Sequence, residues 1–257
     1  MNVAPLAGVG VLVTRPEQQA APLCRLLQAE GARPLQLPVL EIRTYGDRRA
    51  LMERLGGLEQ YDLIVFVSAN AVRFGAALLE QRRDLPLSAI GPATARALNQ
   101  AGYRVVVQPQ RYNTEGLLEH PRLKHIGGRR VLLVKGREGR ELLEDELTRR
   151  GAVVSRAEVY ERVPLPLSPA LQDALQTRFQ DGQIQVVTAT SLDIGGHLWN
   201  SASAALRASL AAVHWVVPGT RVARGLQERG LTAPILQARS ADDQDLVSEL
   251  KRWRSTA

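Results

Sequence analysis

The chain has one cysteine, Cys24, in 257 residues, so no internal disulfide can form and a reducing compartment is expected. Cys24 follows Leu23 in a stretch of helical pattern, where a small buried filler is expected in preference to a reactive thiol. Aromatic residues make up only 4% of the chain. The core must therefore be built from Leu, Val, Ile and Ala, a composition that suits parallel sheets covered by helices. No apolar run approaches the roughly 18–20 residues of a membrane span. The opening MNVAPLAGVGVLVTRP reads as the lead-in to a strand, not as a secretory signal, so a cytoplasmic protein is expected. The four histidines, His120, His125, His197 and His214, show neither metal-ligand spacing nor an evident carboxylate orienter. A G-x-S-x-G elbow is also missing. Metal and triad chemistry are accordingly not expected.

What is present begins with charge. Lys and Arg number 33 against 26 Asp and Glu, a net charge of +7. Such a surface suits an anionic partner, either nucleic acid or a ligand rich in carboxylate or phosphate. The basic residues are scattered and carry no nucleic-acid-binding motif, which favours the small anion.

The chain also repeats itself. VLVTRPEQQAAPLCRLLQAEGA, from Val11, aligns without gaps on VLLVKGREGRELLEDELTRRGA, from Val131. The same spacing of 120 matches Leu27 with Leu147, Gly31 with Gly151, Val67 with Val187 and Ser68 with Thr188. After an insertion it becomes 128, pairing Gly91 with Gly219 and Arg96 with Arg224. Each copy parses as a buried strand, a helix of about four turns, a glycine stop, a second strand, and then further strand–turn–helix steps. Leu23, Leu26 and Leu27 form the apolar face of the first helix; Leu142, Leu143 and Leu147 form that of its counterpart. The alternation predicts an α/β protein with an open, doubly wound parallel sheet in each half, of the Rossmann or flavodoxin-like kind. Two extended stretches, Leu37 to Thr44 and Val159 to Ser168, occupy equivalent places and read as linkers. The pattern alone allows simple tandem domains. It equally allows the first strand–helix unit to pack with the C-terminal third.

The segments VLVTRP, IVFVSANAV, AIGPATARAL, RVLLVKGREGRELLEDELTRRGAVV running into VYERV, and GTRVARGLQERG follow one another in order. Their order and spacing resemble the uroporphyrinogen-III synthase family over nearly the whole chain, from about Val9 to Leu250. The resemblance implies two α/β domains joined by a two-stranded connector, with the N-terminal segment returning to the C-terminal domain. The implied boundaries are 1–38 plus 167–257 for one domain, 43–160 for the other, and 39–42 with 161–166 for the connector. The implied site lies in a cleft between the domains. The implied reaction is cyclisation of hydroxymethylbilane, an octacarboxylate linear tetrapyrrole, with loss of water and inversion of the last pyrrole through a spiro intermediate. It requires no cofactor. A monomer is expected, with transient contact to the upstream bilane-forming enzyme as a further expectation. A two-lobed module that binds an anionic metabolite without transforming it is the rival reading.

An octacarboxylate needs donors spread over a concave surface, and helix N-termini at strand ends supply amides and a positive dipole end. Four turns have the right composition: Ser68 and Asn70 in SANAV, GPATA with Thr94, Thr188, Thr190 and Ser191 in TATSL, and Gly219, Thr220 and Arg221 in GTRVA. The plain alternative is that these Ser, Thr and Asn residues only cap helices. Arg15 and Lys135 are repeat-equivalent cations just after the first strand of each copy, open to either a carboxylate or an ordinary surface role. KGREGRE adds Gly136, Arg137 and Arg140; it resembles a glycine-rich anion loop but lacks the closing GK[ST] of a nucleotide site. Tyr160 is the candidate catalytic residue. Its repeat partner is the aliphatic Leu40, a phenol can protonate or orient a departing hydroxyl, and in the family a tyrosine after this strand's valine is the leading candidate for that role. Where the family often has proline after the serine of the SANAV turn, Ala69 and Asn70 stand here.

Overall fold

The computed structural model describes residues 4–109, 111, 113–139 and 141–256. The described strands are, in chain order, β1 (Gly10–Val13), β2 (Arg33–Gln36), β3 (Leu40–Thr44), β4 (Leu63–Phe66), β5 (Leu87–Ala89), β6 (Val105–Val107), β7 (Arg130–Gly136), β8 (Val153–Pro164), β9 (Val186–Thr188), β10 (His214–Pro218) and β11 (Ile235–Ala238). They form a five-stranded sheet in the order β11-β10-β9-β1-β2 and a six-stranded sheet in the order β3-β8-β7-β4-β5-β6. The chain divides into two compact units, Met1–Glu41 with Val163–Ala257, and Ile42–Arg162. Both division points fall inside the two extended segments that the sequence marks as linkers. No described helix is long and apolar enough to cross a membrane.

Strand order reveals how the repeat is used. Reading β2-β1-β9-β10-β11 against β8-β7-β4-β5-β6, each strand of one sheet has a counterpart in the other. The five matched strands of each sheet are thus two from one copy and three from the other, so simple tandem domains are not what the chain forms. The pairings within β1, β2, β9, β10 and β11, and those linking β4 with β5 and β7, and β7 with β8, are parallel. β3 is the addition at the edge of the second sheet. Leu165 N–H bonds to Val39 C=O at 2.9 Å and Tyr45 N–H to Val159 C=O at 3.1 Å, so β3 and β8 run in opposite senses.

Parallel strands covered on both faces are expected to be apolar, and the central stretches of β1, β4 and β7 are. In β7, Val131 and Leu133 face one core while Leu132 and Val134 face the other. β4 divides likewise, Leu63 and Val65 against Ile64 and Phe66. Each such side chain fully withdrawn from water stabilises the unit by about 1.5–3 kcal/mol. In the five-stranded sheet Leu12 faces one core and Val11 and Val13 the other. Gly31 and Gly151 end their helices with φ of +86° and +84°, a conformation that a side chain would strain.

The two repeat-related helices differ in length. Glu17–Ala29 has 13 residues, close to the expected four turns, but its counterpart Leu142–Arg149 has only 8. The residues that would start a longer second helix include Gly136 and Gly139, and β7 instead continues through Gly136. Leu142, placed on the apolar face by the sequence, is therefore 41% exposed, whereas Leu143 and Leu147 are buried.

Candidate active site at the strand ends of the second unit

In the six-stranded sheet the chain leaves β7 towards β8 on one side, whereas β4 leads to β5 and β6 on the other. The carboxyl ends of β7 and β4 therefore form a topological switch point, the place where open α/β sheets leave a crevice. A cavity of about 180 Å³ opens there, lined by Ser68, Lys135, Gly136 and Tyr160 among others. Four of the residues that the sequence singles out are thus brought together within one unit.

Each arrives by a local rule. Ser68 follows β4 and caps the helix Ala69–Gly75, its Oγ accepting from Ala71 N–H at 2.9 Å. The expected capping role is real, and the same hydroxyl also lies 3.2 Å from the Tyr160 hydroxyl. Tyr160 reaches this position through an irregularity of the β7–β8 ladder. Lys135 pairs with Glu158, but Gly136 pairs with Tyr160, so the register shifts by one residue at the end of β7. Such bulges re-aim a side chain, and they recur beside functional sites. Arg137 N–H then donates to Tyr160 C=O at 2.8 Å. The Tyr160 ring is buried and stacks on Phe74, centroids 5.8 Å apart at 30°.

Lys135 continues the alternation of β7 on the side of Val131 and Leu133, so its stem is buried as theirs are; the residue is 7% exposed. Among the described residues it makes no hydrogen bond or ion pair, and it lines the cavity. An ammonium on a buried stem at the wall of a cavity is placed to meet an anion that enters it. Glu144, another lining residue, has its buried Oε2 2.5 Å from Arg156 Nε, an ion pair without hydrogen-bond geometry.

The repeat-equivalent Arg15 differs in having internal partners. It is likewise buried, but its guanidinium pairs with Asp243 and donates to Ala241 C=O, fastening β1 to the start of the helix Asp243–Thr256. Thr188 is also engaged within the fold. Its side chain is fully buried, its Oγ donates to Leu12 C=O at 3.2 Å, and its own C=O accepts from Thr14. The hydroxyl that matches Ser68 belongs to Ser191, which caps Leu192–Ser201 by accepting from Ile194 N–H at 3.3 Å. The two caps stand 123 residues apart, not 120, which is why the ungapped repeat points to the wrong threonine.

The other expected residues scatter. Thr94 is buried in the first turn of Pro92–Gln100, and Asn70 is half-buried in that of Ala69–Gly75; neither lines the cavity. Arg137 is exposed, 3.3 Å from Glu161 and 5.0 Å over the Tyr45 ring, and also lies off the lining. Arg140 lies outside the described residues. In the first unit Thr190 is half-buried, Gly219 begins its helix with φ of +65°, Thr220 donates to Gln237 at 3.1 Å and Arg221 is exposed. Sequence reading missed Phe74, Thr114 and Arg162. Arg162 had a usable signal, since it lies two residues beyond Tyr160 and strand residues at that spacing share a face. Phe74 and Thr114 had none, because only the tertiary fold brings their helices to this strand end.

Residues 21–248 match the family described as uroporphyrinogen-III synthase HemD. The chain is 33% identical over 198 residues to the uroporphyrinogen-III synthase of Escherichia coli, covering 75% of this chain and 79% of that protein. It is 32% identical over 234 residues to a putative uroporphyrinogen-III synthase of Methanothermobacter thermautotrophicus, covering 86% and 90%. Among solved structures, a mutant uroporphyrinogen III synthase from Thermus thermophilus aligns with a TM-score of 0.63 at 22% identity, over 97% of this chain and all of that one. The Helicobacter pylori uroporphyrinogen-III synthetase aligns with a TM-score of 0.62 at 16% identity, over 93% and 97%. The structural likenesses speak for the fold.

Proposed function

Because the chain belongs to the uroporphyrinogen-III synthase family, we propose that the strand-end cavity of the Ile42–Arg162 unit holds a carboxylate of hydroxymethylbilane beside the hydroxyl that departs. The activity is that of a uroporphyrinogen-III synthase, a cyclising lyase. The carbon–oxygen bond of the terminal hydroxymethyl group breaks, pushed by the electron pair of the adjacent pyrrole nitrogen, and the oxygen leaves as water after taking a proton. The substituted carbon of the last pyrrole then attacks the resulting azafulvene. The spiro intermediate so formed fragments and recloses with that ring inverted. The bilane closes uninverted without help, so the protein's task is to hold one folded shape and to assist departure.

The observation that carries this reading is Lys135, a buried residue with no hydrogen bond or ion pair among the described residues, lining the same cavity as the Tyr160–Ser68 hydroxyl pair. Lys135 meets a carboxylate of the substrate. Tyr160 gives a proton to, or orients, the leaving hydroxyl. Ser68, whose Oγ already accepts from Ala71 N–H, donates its own proton towards the phenol oxygen as charge develops there. Arg137, exposed just beyond the same strand end, offers a cation to a further carboxylate. Its expected setting is cytoplasmic haem biosynthesis.

The test is incubation of the purified protein with freshly generated hydroxymethylbilane, followed by separation of the isomers. Type III product is expected, with turnover falling by about a hundredfold in Tyr160→Phe. Type I product alone would end the reading. Type III product at full rate from Tyr160→Phe would remove only the tyrosine from it.

A further inference from the structure

Gly136 sits where β7 ends, opposite Tyr160 in the shifted register. A Cβ on Gly136 would lie 2.7 Å from Tyr160 Cζ, 2.8 Å from Cε2 and 3.1 Å from the phenol oxygen. The first two distances are closer than real side-chain carbons approach, so ring or strand must move. The ring has little freedom to do so. Phe74 stacks on it, Ser68 bonds its hydroxyl, and its backbone C=O is held by Arg137 N–H. Gly136 has an ordinary backbone conformation, since its φ is not among the positive ones. Turn geometry therefore does not call for glycine at this position. What does is the space the phenol occupies.

From this we infer that Gly136 is a positioning residue: its missing side chain sets the place of the Tyr160 hydroxyl over the strand end. The inference rests on the proposed role of Tyr160 only for its effect on rate. The bulge brings the ring to the end of β7, and the absence of a Cβ lets the ring lie flat there with its oxygen within reach of Ser68. An alanine would push the phenol edge away from the strand and break the Ser68 contact, leaving the Lys135 ammonium where it is. Substrate binding should then change less than turnover.

The test combines a spectroscopic reading with a mutant cycle on the full chain. With 13C-labelled tyrosine, the ring signal of Tyr160 is identified by its loss in Tyr160→Phe. In Gly136→Ala that signal should shift, turnover should fall by about a hundredfold and KM should stay within about threefold. The double variant Gly136→Ala/Tyr160→Phe should be within about twofold of Tyr160→Phe alone, because no hydroxyl remains to be displaced. An unmoved ring signal, or losses that multiply in the double variant, would overturn the inference. If Tyr160→Phe itself keeps full turnover, the catalytic reading of Tyr160 fails, and the ring signal still decides the placement by Gly136. Should Gly136→Ala not fold, Gly136→Ala/Tyr160→Leu should, since leucine removes the atoms that the new methyl group meets. Failure of that variant to fold would mean that the ring is not what excludes a side chain.

Discussion

Ser68 and Ser191 make the same bond for the same reason: each follows a parallel strand, takes an extended backbone and accepts an N–H from the first turn of its helix. Only Ser68 also meets a phenol. Replacement of either by alanine should cost about 1 kcal/mol of unfolding free energy. Ser68→Ala alone should lower turnover as well, and steady-state rates beside denaturant curves for the two variants separate cap from site. Much of this was legible in the sequence, because hydroxyl residues after an apolar strand are an N-terminal helix signal. What was not legible is which threonine or serine in TATSL does the capping. An ungapped repeat carries Ser68 onto Thr188, and only the strand pairing shows Thr188 sealed between β1 and β9. Tyr160 could be picked out as a phenol where its repeat partner is aliphatic, but its reach to Ser68 depends on a register shift that composition does not encode.

The helix Leu142–Arg149 shows how an element shorter than its pattern is kept in place. Glu146 accepts from Arg149 at 2.7 Å and from Arg150 at 2.8 Å. Arg150 in turn donates to Leu118 C=O at 2.6 Å and Leu123 C=O at 2.9 Å, tying the helix to the two before β7. These bonds, to Arg149 first, hold the Glu146 carboxyl at about 2, well below its ordinary value. A carboxyl with a lowered folded value stabilises the fold above its unfolded titration, near 4.5, and ceases to do so as pH falls towards 2. Melting temperature followed over that acid range should therefore fall less steeply in Glu146→Gln than in the parent, and parallel profiles would count against the network. The sequence showed this helix through its leucines and its Gly151 stop, yet overstated its length. The repeat imposed the register of Glu17–Ala29 on a segment whose strand runs on through Gly136.

For the whole molecule, exchange of strands between the two copies has a consequence for folding. The Ile42–Arg162 unit is continuous in sequence and holds β4 to β7 complete, whereas the other unit is assembled from both ends of the chain. A fragment spanning residues 42–162 should therefore fold alone, with cooperative urea unfolding and helical and strand circular dichroism; a fragment without a transition would contradict this. Exchange also leaves two equivalent switch points with unlike cations. Arg15 is committed to Asp243, and Lys135 lacks a partner among the described residues. On the proposed reading, the first cation serves stability and the second meets a carboxylate of the substrate. Kinetics and denaturation of Arg15→Met and Lys135→Met test this division directly. Lys135→Met should lower kcat/KM for hydroxymethylbilane by roughly tenfold to a hundredfold at nearly unchanged stability, whereas Arg15→Met should lose about 1.5–3 kcal/mol of stability at nearly unchanged kcat/KM. Full kcat/KM in Lys135→Met, or the opposite assignment of the two losses, would contradict the division.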